Sequence, residues 1–112
     1  MPSNLEIIFA ENWVSLYPDI DLHSEYFFAK PRQFRFDFAH LETKIAIELQ
    51  GGTYSSGRHT NGAALAKEYE KLNIATQKGW RIFFLDTNMV NDLELYDAIA
   101  HTIFRLTPSN SL

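Results

Sequence analysis

The chain contains no cysteine. Disulfides and thiolate metal sites are thereby excluded, and any metal must be held by oxygen or imidazole, which points to a hard cation. No apolar run approaches the ~20 residues that a membrane-spanning helix needs, and the first residues lack the basic-then-apolar pattern of a secretory signal. No membrane partner is expected, and the cytoplasm is the expected setting. Positive charge is also short: 10 Lys and Arg against 14 Asp and Glu leave a formal net charge of −4. Such a balance runs against binding polyanions over the whole surface. The distribution is uneven, however. Nine of the ten basic and five of the fourteen acidic residues lie between Lys30 and Arg81, so that stretch carries +4 and the remainder −8. An anionic partner would meet the middle of the chain.

What is present is enough for one core. The 112 residues are 46% apolar and 14% aromatic, which suits a single domain over 1–112 that folds alone. Ser3 followed by Glu6 reads as a capping box, and Leu5, Ile8, Phe9, Trp13 and Leu16 recur at helical spacing until Pro18. Leu22 to Phe28 is aromatic and extended, and Lys30-Pro31-Arg32 interrupts it. From Gln33 to Ala39, Phe34, Phe36 and Phe38 alternate with Arg35, Asp37 and Ala39, which predicts a strand with one apolar and one charged face. His40 to Thr43 is a polar break. From Lys44 to Gln50, Ile45, Ile47 and Leu49 alternate with Ala46, Glu48 and Gln50, so the two strands form a hairpin that ends at Gly51-Gly52. After a polar loop, Asn61 is a candidate cap for a helix through Lys78, and Gly79 sits where a left-handed residue commonly closes one. Trp80 to Leu85 is an apolar run that suits a strand buried on both faces. A last helix, capped near Asn91 or Asp92, carries Leu95, Ile99, Ile103 and Leu106. Trp13 and Trp80 read as core. The fold class is α/β: α-β-β-β-α-β plus a C-terminal helix, with one mixed sheet flanked by helices.

Hairpin geometry relates two acids. With a His40–Thr43 connection, Ala39 faces Lys44, Asp37 faces Ala46 and Glu48 faces Arg35, so Asp37 and Glu48 share a face on a diagonal of roughly 7–8 Å. An odd-length connection would separate them. Either acid alone reads as the solvent face of a strand, with Asp37 and Arg35 a surface ion pair. Convergence on adjacent strands, the Gly-Gly end and the lysine-bearing helix that follows favour a site. Two carboxylates suit Mg²⁺, which takes oxygen ligands and keeps its waters, and the backbone carbonyl of Leu49 is a further natural ligand. Such a site fits phosphodiester hydrolysis, in which Mg²⁺ brings a charged nucleophile to an anionic phosphate and neutralises the leaving oxygen. Gln50 would orient the attacking water.

Phe36-Asp37 followed by Glu48-Leu49-Gln50 resembles the PD-(D/E)XK nuclease superfamily, whose restriction-endonuclease-like core has the same element order, matched here over roughly residues 3 to 86. The strings Arg35-Phe36-Asp37-Phe38-Ala39, Ile47-Glu48-Leu49-Gln50-Gly51-Gly52, Gly57-Arg58-His59, Lys71-Leu72-Asn73 and Gly79-Trp80 are similar to a phage- and bacterial-type branch of small endonucleases. That branch has Holliday-junction resolvases, mismatch-nicking and homing endonucleases among its relatives. The resemblance implies a Mg²⁺-dependent DNA endonuclease acting through metal-activated water, with Mn²⁺ as a substitute and roles in DNA recombination or repair. Asp37 and Glu48 would be its metal ligands.

The superfamily usually carries a catalytic lysine where this chain has Gln50, so either Lys67 or Lys71, which share a helix face, would supply the cation or activity would be reduced. Lys71 is favoured because it lies in the Lys-Leu-Asn string. Glu6 is either a further metal ligand or the N3 half of the capping box. His59 would bind phosphate, transfer a proton or stand exposed. Arg32, Arg35 and Arg58 are candidate phosphate contacts and Tyr54 a stacking one. Cutting both strands would call for a homodimer, nicking would not. The alternative is a catalytically silent nucleic-acid-binding or assembly module that keeps the fold.

Overall fold

The computed structural model describes residues 2–51 and 62–108. Its elements are α1 (Asn4–Leu16), β1 (His23–Phe27), β2 (Arg35–His40), β3 (Ile45–Leu49), α2 (Gly62–Gln77), β4 (Arg81–Leu85), a short 3₁₀ turn (Met89–Asn91) and α3 (Leu93–Leu106). The strands form one sheet in the order β1-β2-β3-β4, antiparallel across the first two pairs and parallel between β3 and β4. Class, element order and mixed sheet are those expected. None of the described helices is long and apolar enough to cross a membrane.

Two apolar layers sandwich the sheet. Phe9 and Trp13 of α1 and Tyr96, Ile99 and Ile103 of α3 pack on Phe38, Ile45, Ile47 and Leu85. On the other side Phe28, Phe36, Ala39 and Ala46 meet Ala75 of α2, with Tyr26, Ile74, Trp80 and Ile82 around them. Alanines at 39 and 46 let α2 approach closely. The caps follow the sequence: the Ser3–Glu6 box is formed in full, and Asp92 accepts from the N–H of Glu94 at 3.0 Å. Gly79 takes φ +89°. Asn61 lies outside the described residues.

Three expectations change. Helical spacing enrolled Ile8 and Leu16 in the buried face of α1, yet both are exposed, and that face is Glu6, Phe9 and Trp13. β4 is an edge strand rather than a doubly buried one, so Arg81 is exposed and Phe84 is 42% exposed. Third, the alternation of β2 does not hold, since Phe38 packs against α1 and α3 while Phe36 packs under α2. The register of β1 on β2 stays constant across this change of phase, and Glu25, which falls opposite Asp37, has φ +55°. A non-glycine residue in that region costs about 1–2 kcal/mol. The local distortion turns Phe36 into the α2 layer and leaves Asp37 between the strands.

Candidate active site

The β2–β3 ladder pairs His40 with Ile45, Ala39 with Ala46 and Phe38 with Ile47. The connection is therefore Leu41–Lys44 and not His40–Thr43. Lys44 closes it at φ +56°, and its N–H donates to the Leu41 carbonyl at 3.3 Å. The position facing Asp37 thereby moves by two residues, from Ala46 to Glu48, which keeps the parity and replaces the diagonal by a direct opposition one step beyond the last pair.

At that level carboxylates replace ladder bonds. The backbone N–H of Asp37 donates to Glu48 Oε2 at 3.0 Å, and the backbone N–H of Leu49 donates to Asp37 Oδ2 at 2.8 Å. Each strand thus satisfies an N–H of its neighbour through an acid, and both acids are held beside backbone rather than in solvent. Glu48 is buried, 5% exposed, and a carboxylate so placed requires partners. It has one in Lys71, whose Nζ lies 2.5 Å from Oε1. Lys71 stands one helical turn before the fully buried Ala75, on the face of α2 that meets the sheet, and its ammonium lies 5.8 Å from the Phe36 ring centre.

On the other flank Arg35 is enclosed by three acids: Asp37 at 3.1 Å, Glu25 at 3.4 Å and Glu6 at 3.6 Å. Glu6 is the N3 member of the capping box and, beyond either sequence alternative, an ion-pair partner of Arg35. One carboxylate oxygen accepts from the Ser3 N–H at 2.6 Å in the capping box, and the other faces Arg35. Its carboxylate also acts on Asp37. Burial first, opposed by the Leu49 hydrogen bond and reinforced by Glu6, raises the Asp37 pKa. Burial likewise raises that of Glu48, against the lowering effect of Lys71. Both acids therefore carry charge at a cost that an added cation would relieve.

This cost has a measurable sign. Raised native values mean that the folded protein binds more protons than the unfolded chain, so stability is lost as pH rises through them. For metal-free protein, Asp37→Asn removes the penalty while leaving an oxygen for the Leu49 N–H. Thermal melts carried upward from the ordinary carboxylate value of 3.8, where the unfolded chain loses its proton first, should show the variant gaining on the parent until Asp37 has ionised in both states; a constant difference would contradict the burial argument.

The remaining sequence candidates separate clearly. Lys67 is exposed and lines a cleft with Pro31, Arg32, Gln33 and Phe34, one turn farther from the acids than Lys71. Arg32 lies on that rim, 2.9 Å from Glu70 and 4.5 Å from the Phe34 ring centre. Gln50 is partly buried, and its backbone N–H is anchored to the Leu85 carbonyl at 2.8 Å. Tyr54, Arg58 and His59 lie outside the described residues. Glu25 is a neighbour of the site that the sequence does not announce. Only the β1–β2 register places it opposite Asp37, and no local signal announces that register. Among the described residues no three His, Asp or Glu side chains are arranged to hold a metal ion together. The donor set is a pair of hard oxygen ligands with Glu6 adjacent, which suits a cation that retains most of its waters.

Compared with solved structures, the chain is similar to the catalytic domain of the homing endonuclease I-Bth0305I. The TM-score is 0.68 at 18% identity, over 96% of this chain and 100% of that one. The chain has a nuclease-like fold. No family model and no curated protein matches the sequence. In this fold the acids occupy the splayed ends of the two central strands, between the first turn of α1 and the middle of α2.

Proposed function

We propose that the protein is a Mg²⁺-dependent DNA endonuclease of the PD-(D/E)XK type. The observation that carries the reading is the reciprocal hold of Asp37 and Glu48 across β2 and β3, in a fold shared with an endonuclease catalytic domain. Asp37 and Glu48 would hold the metal, with the Leu49 carbonyl beside them and Glu6 close to Asp37. When bound, Mg²⁺ supplies positive charge for attack on an anionic phosphodiester and for the departing oxygen. Mn²⁺ offers the same oxygen-ligand chemistry.

The chain's own residues do the rest. Lys71 brings the cation that position 50 lacks and keeps it against Glu48 from the neighbouring helix. Gln50, fixed through its backbone, orients the attacking water by hydrogen bonds. Arg35 braces Glu6, Glu25 and Asp37 so that three acids and a developing phosphate charge coexist. Arg32 extends the positive rim along which a DNA backbone lies.

Supercoiled plasmid and branched DNA incubated in Mg²⁺ or Mn²⁺ test this reading. Cleavage by the parent is expected, with Lys71→Ala at least about 100-fold slower, as for loss of a group stabilising transition-state charge. Lys67→Ala should retain turnover. No cleavage of either DNA under both metals would leave the silent binding module as the better account, and equal losses in the two lysine variants would remove Lys71 from its assigned place.

A further inference from the structure

The layer opposite α2 carries a feature the nuclease reading does not use. A groove of about 660 Å³ runs between the end of α1 and α3, walled by Tyr17, Ile20, Ala98, His101 and Phe104. Phe104 projects from it 77% exposed, and Val14, 64% exposed, lies on an adjoining cleft that shares Tyr17 and Ile20. Such apolar exposure beside a concavity marks interaction surfaces. Its border has one sign of charge. Glu94 and Asp97 line the groove, and exposed Asp19, Asp21 and Glu42 line the next cleft, which shares Ile20 and Phe104. The Tyr17 hydroxyl donates to Asp97, tying the two walls together. Among the described residues lining the two clefts there are five acids and no lysine or arginine.

We infer that this groove docks an amphipathic helix with a basic polar face from a partner protein. The charge selects among occupants. DNA and anionic lipid surfaces are repelled by the acids. A second copy docking face to face across a twofold axis would set these acids against themselves. A helix offering leucine-like residues at helical spacing, bordered by lysine or arginine, fills the apolar floor and pairs with the rim.

The probe is a fluorescent leucine–lysine peptide of amphipathic helical pattern, compared with a scrambled peptide of the same composition and a leucine–glutamate analogue. Fluorescence anisotropy with the full chain, without DNA or metal, should show the patterned basic peptide binding at least about 10-fold tighter than either control. The decisive variant is Phe104→Glu, which adds negative charge. Unspecific attraction would strengthen under it, whereas groove docking should weaken at least about 30-fold, as for loss of an aromatic anchor. Ala98→Arg, which fills and recharges the floor, should weaken binding too. Because Ala98 and Phe104 are both exposed, thermal melts should match the parent. Unchanged or tighter binding to Phe104→Glu, or equal binding of the scrambled peptide, would overturn the inference. Sedimentation showing a parent dimer that Phe104→Glu dissociates would also overturn it, by giving the groove to a second copy. Cleavage assays play no part, so this result and the nuclease reading stand or fall separately.

Discussion

Asp37→Ala and Glu48→Ala should each lower DNA cleavage at least about 100-fold while the protein remains folded, the size of effect expected when a group that stabilises transition-state charge is lost. The two losses should differ in character. Asp37→Ala frees the Leu49 N–H and leaves Arg35 facing only Glu6 and Glu25. Glu48→Ala frees the Asp37 N–H and leaves the Lys71 side chain, 13% exposed, without its acid. Removing one member of such a buried pair is destabilising in its own right. Glu48→Gln keeps an acceptor for the Asp37 N–H and removes the charge, so it should be as inactive as the alanine variant but more stable. The measurement is single-turnover cleavage beside urea denaturation. Because the two acids serve one site, the double variant should be little worse than either single one. Additive losses would mean that Asp37 and Glu48 act separately.

Phe36→Ala should cost about 3–5 kcal/mol of stability, the range for truncating a fully buried phenylalanine. Phe36 has no exposure, stacks on Phe28 with ring centres 4.0 Å apart and lies 4.9 Å from Trp80. It is also the ring against which the Lys71 ammonium rests, and it separates Arg35 from Asp37 in the chain. At roughly 4 °C or more per kcal/mol the loss should be plain in a thermal melt. The functional consequence distinguishes this site from an ordinary core position. Under conditions where the variant is still folded, cleavage should fall as Lys71 loses its shelf. Phe38→Ala, truncating the other layer, should destabilise while sparing that contact. Equal stability of Phe36→Ala and the parent would contradict the burial of Phe36 beneath α2.

These expectations rest on details only partly legible in the sequence. The period-two pattern over Gln33–Ala39 and Lys44–Gln50 places the hairpin, and an even connection puts Asp37 and Glu48 on one face. The sequence does not fix where the turn begins. His40 looks like a loop residue, but it pairs with Ile45 while its Nδ1 lies 2.8 Å from Thr43 Oγ1, and Lys44 takes a left-handed conformation that glycine or asparagine would have signalled. Nor do Phe34, Phe36 and Phe38, three identical residues, betray the change of layer at Asp37. That change involves Glu25 on another strand. β4 reads as doubly buried from composition alone because apolar content does not say which strand is last in the sheet. The choice between Lys67 and Lys71 turns on the depth of α2 against the sheet, which Ala75 reveals only once it is seen to be buried. Glu6 is the instructive case. The capping box is local and legible, whereas the contact with Arg35 depends on where α1 lands.

The site's electrostatics make one arrangement unusually easy to test. Two acids with raised pKa values and a third adjacent, braced by Arg35 and Lys71, form a cluster that an added cation should stabilise. Mn²⁺ titrated into the metal-free protein without DNA, followed by the electron paramagnetic resonance signal of the unbound ion, reads this directly. The parent should bind Mn²⁺, Mg²⁺ should displace it, and Asp37→Ala and Glu48→Ala should each abolish binding. Retention of Mn²⁺ by both variants with the affinity of the parent would mean that Asp37 and Glu48 do not form the metal centre.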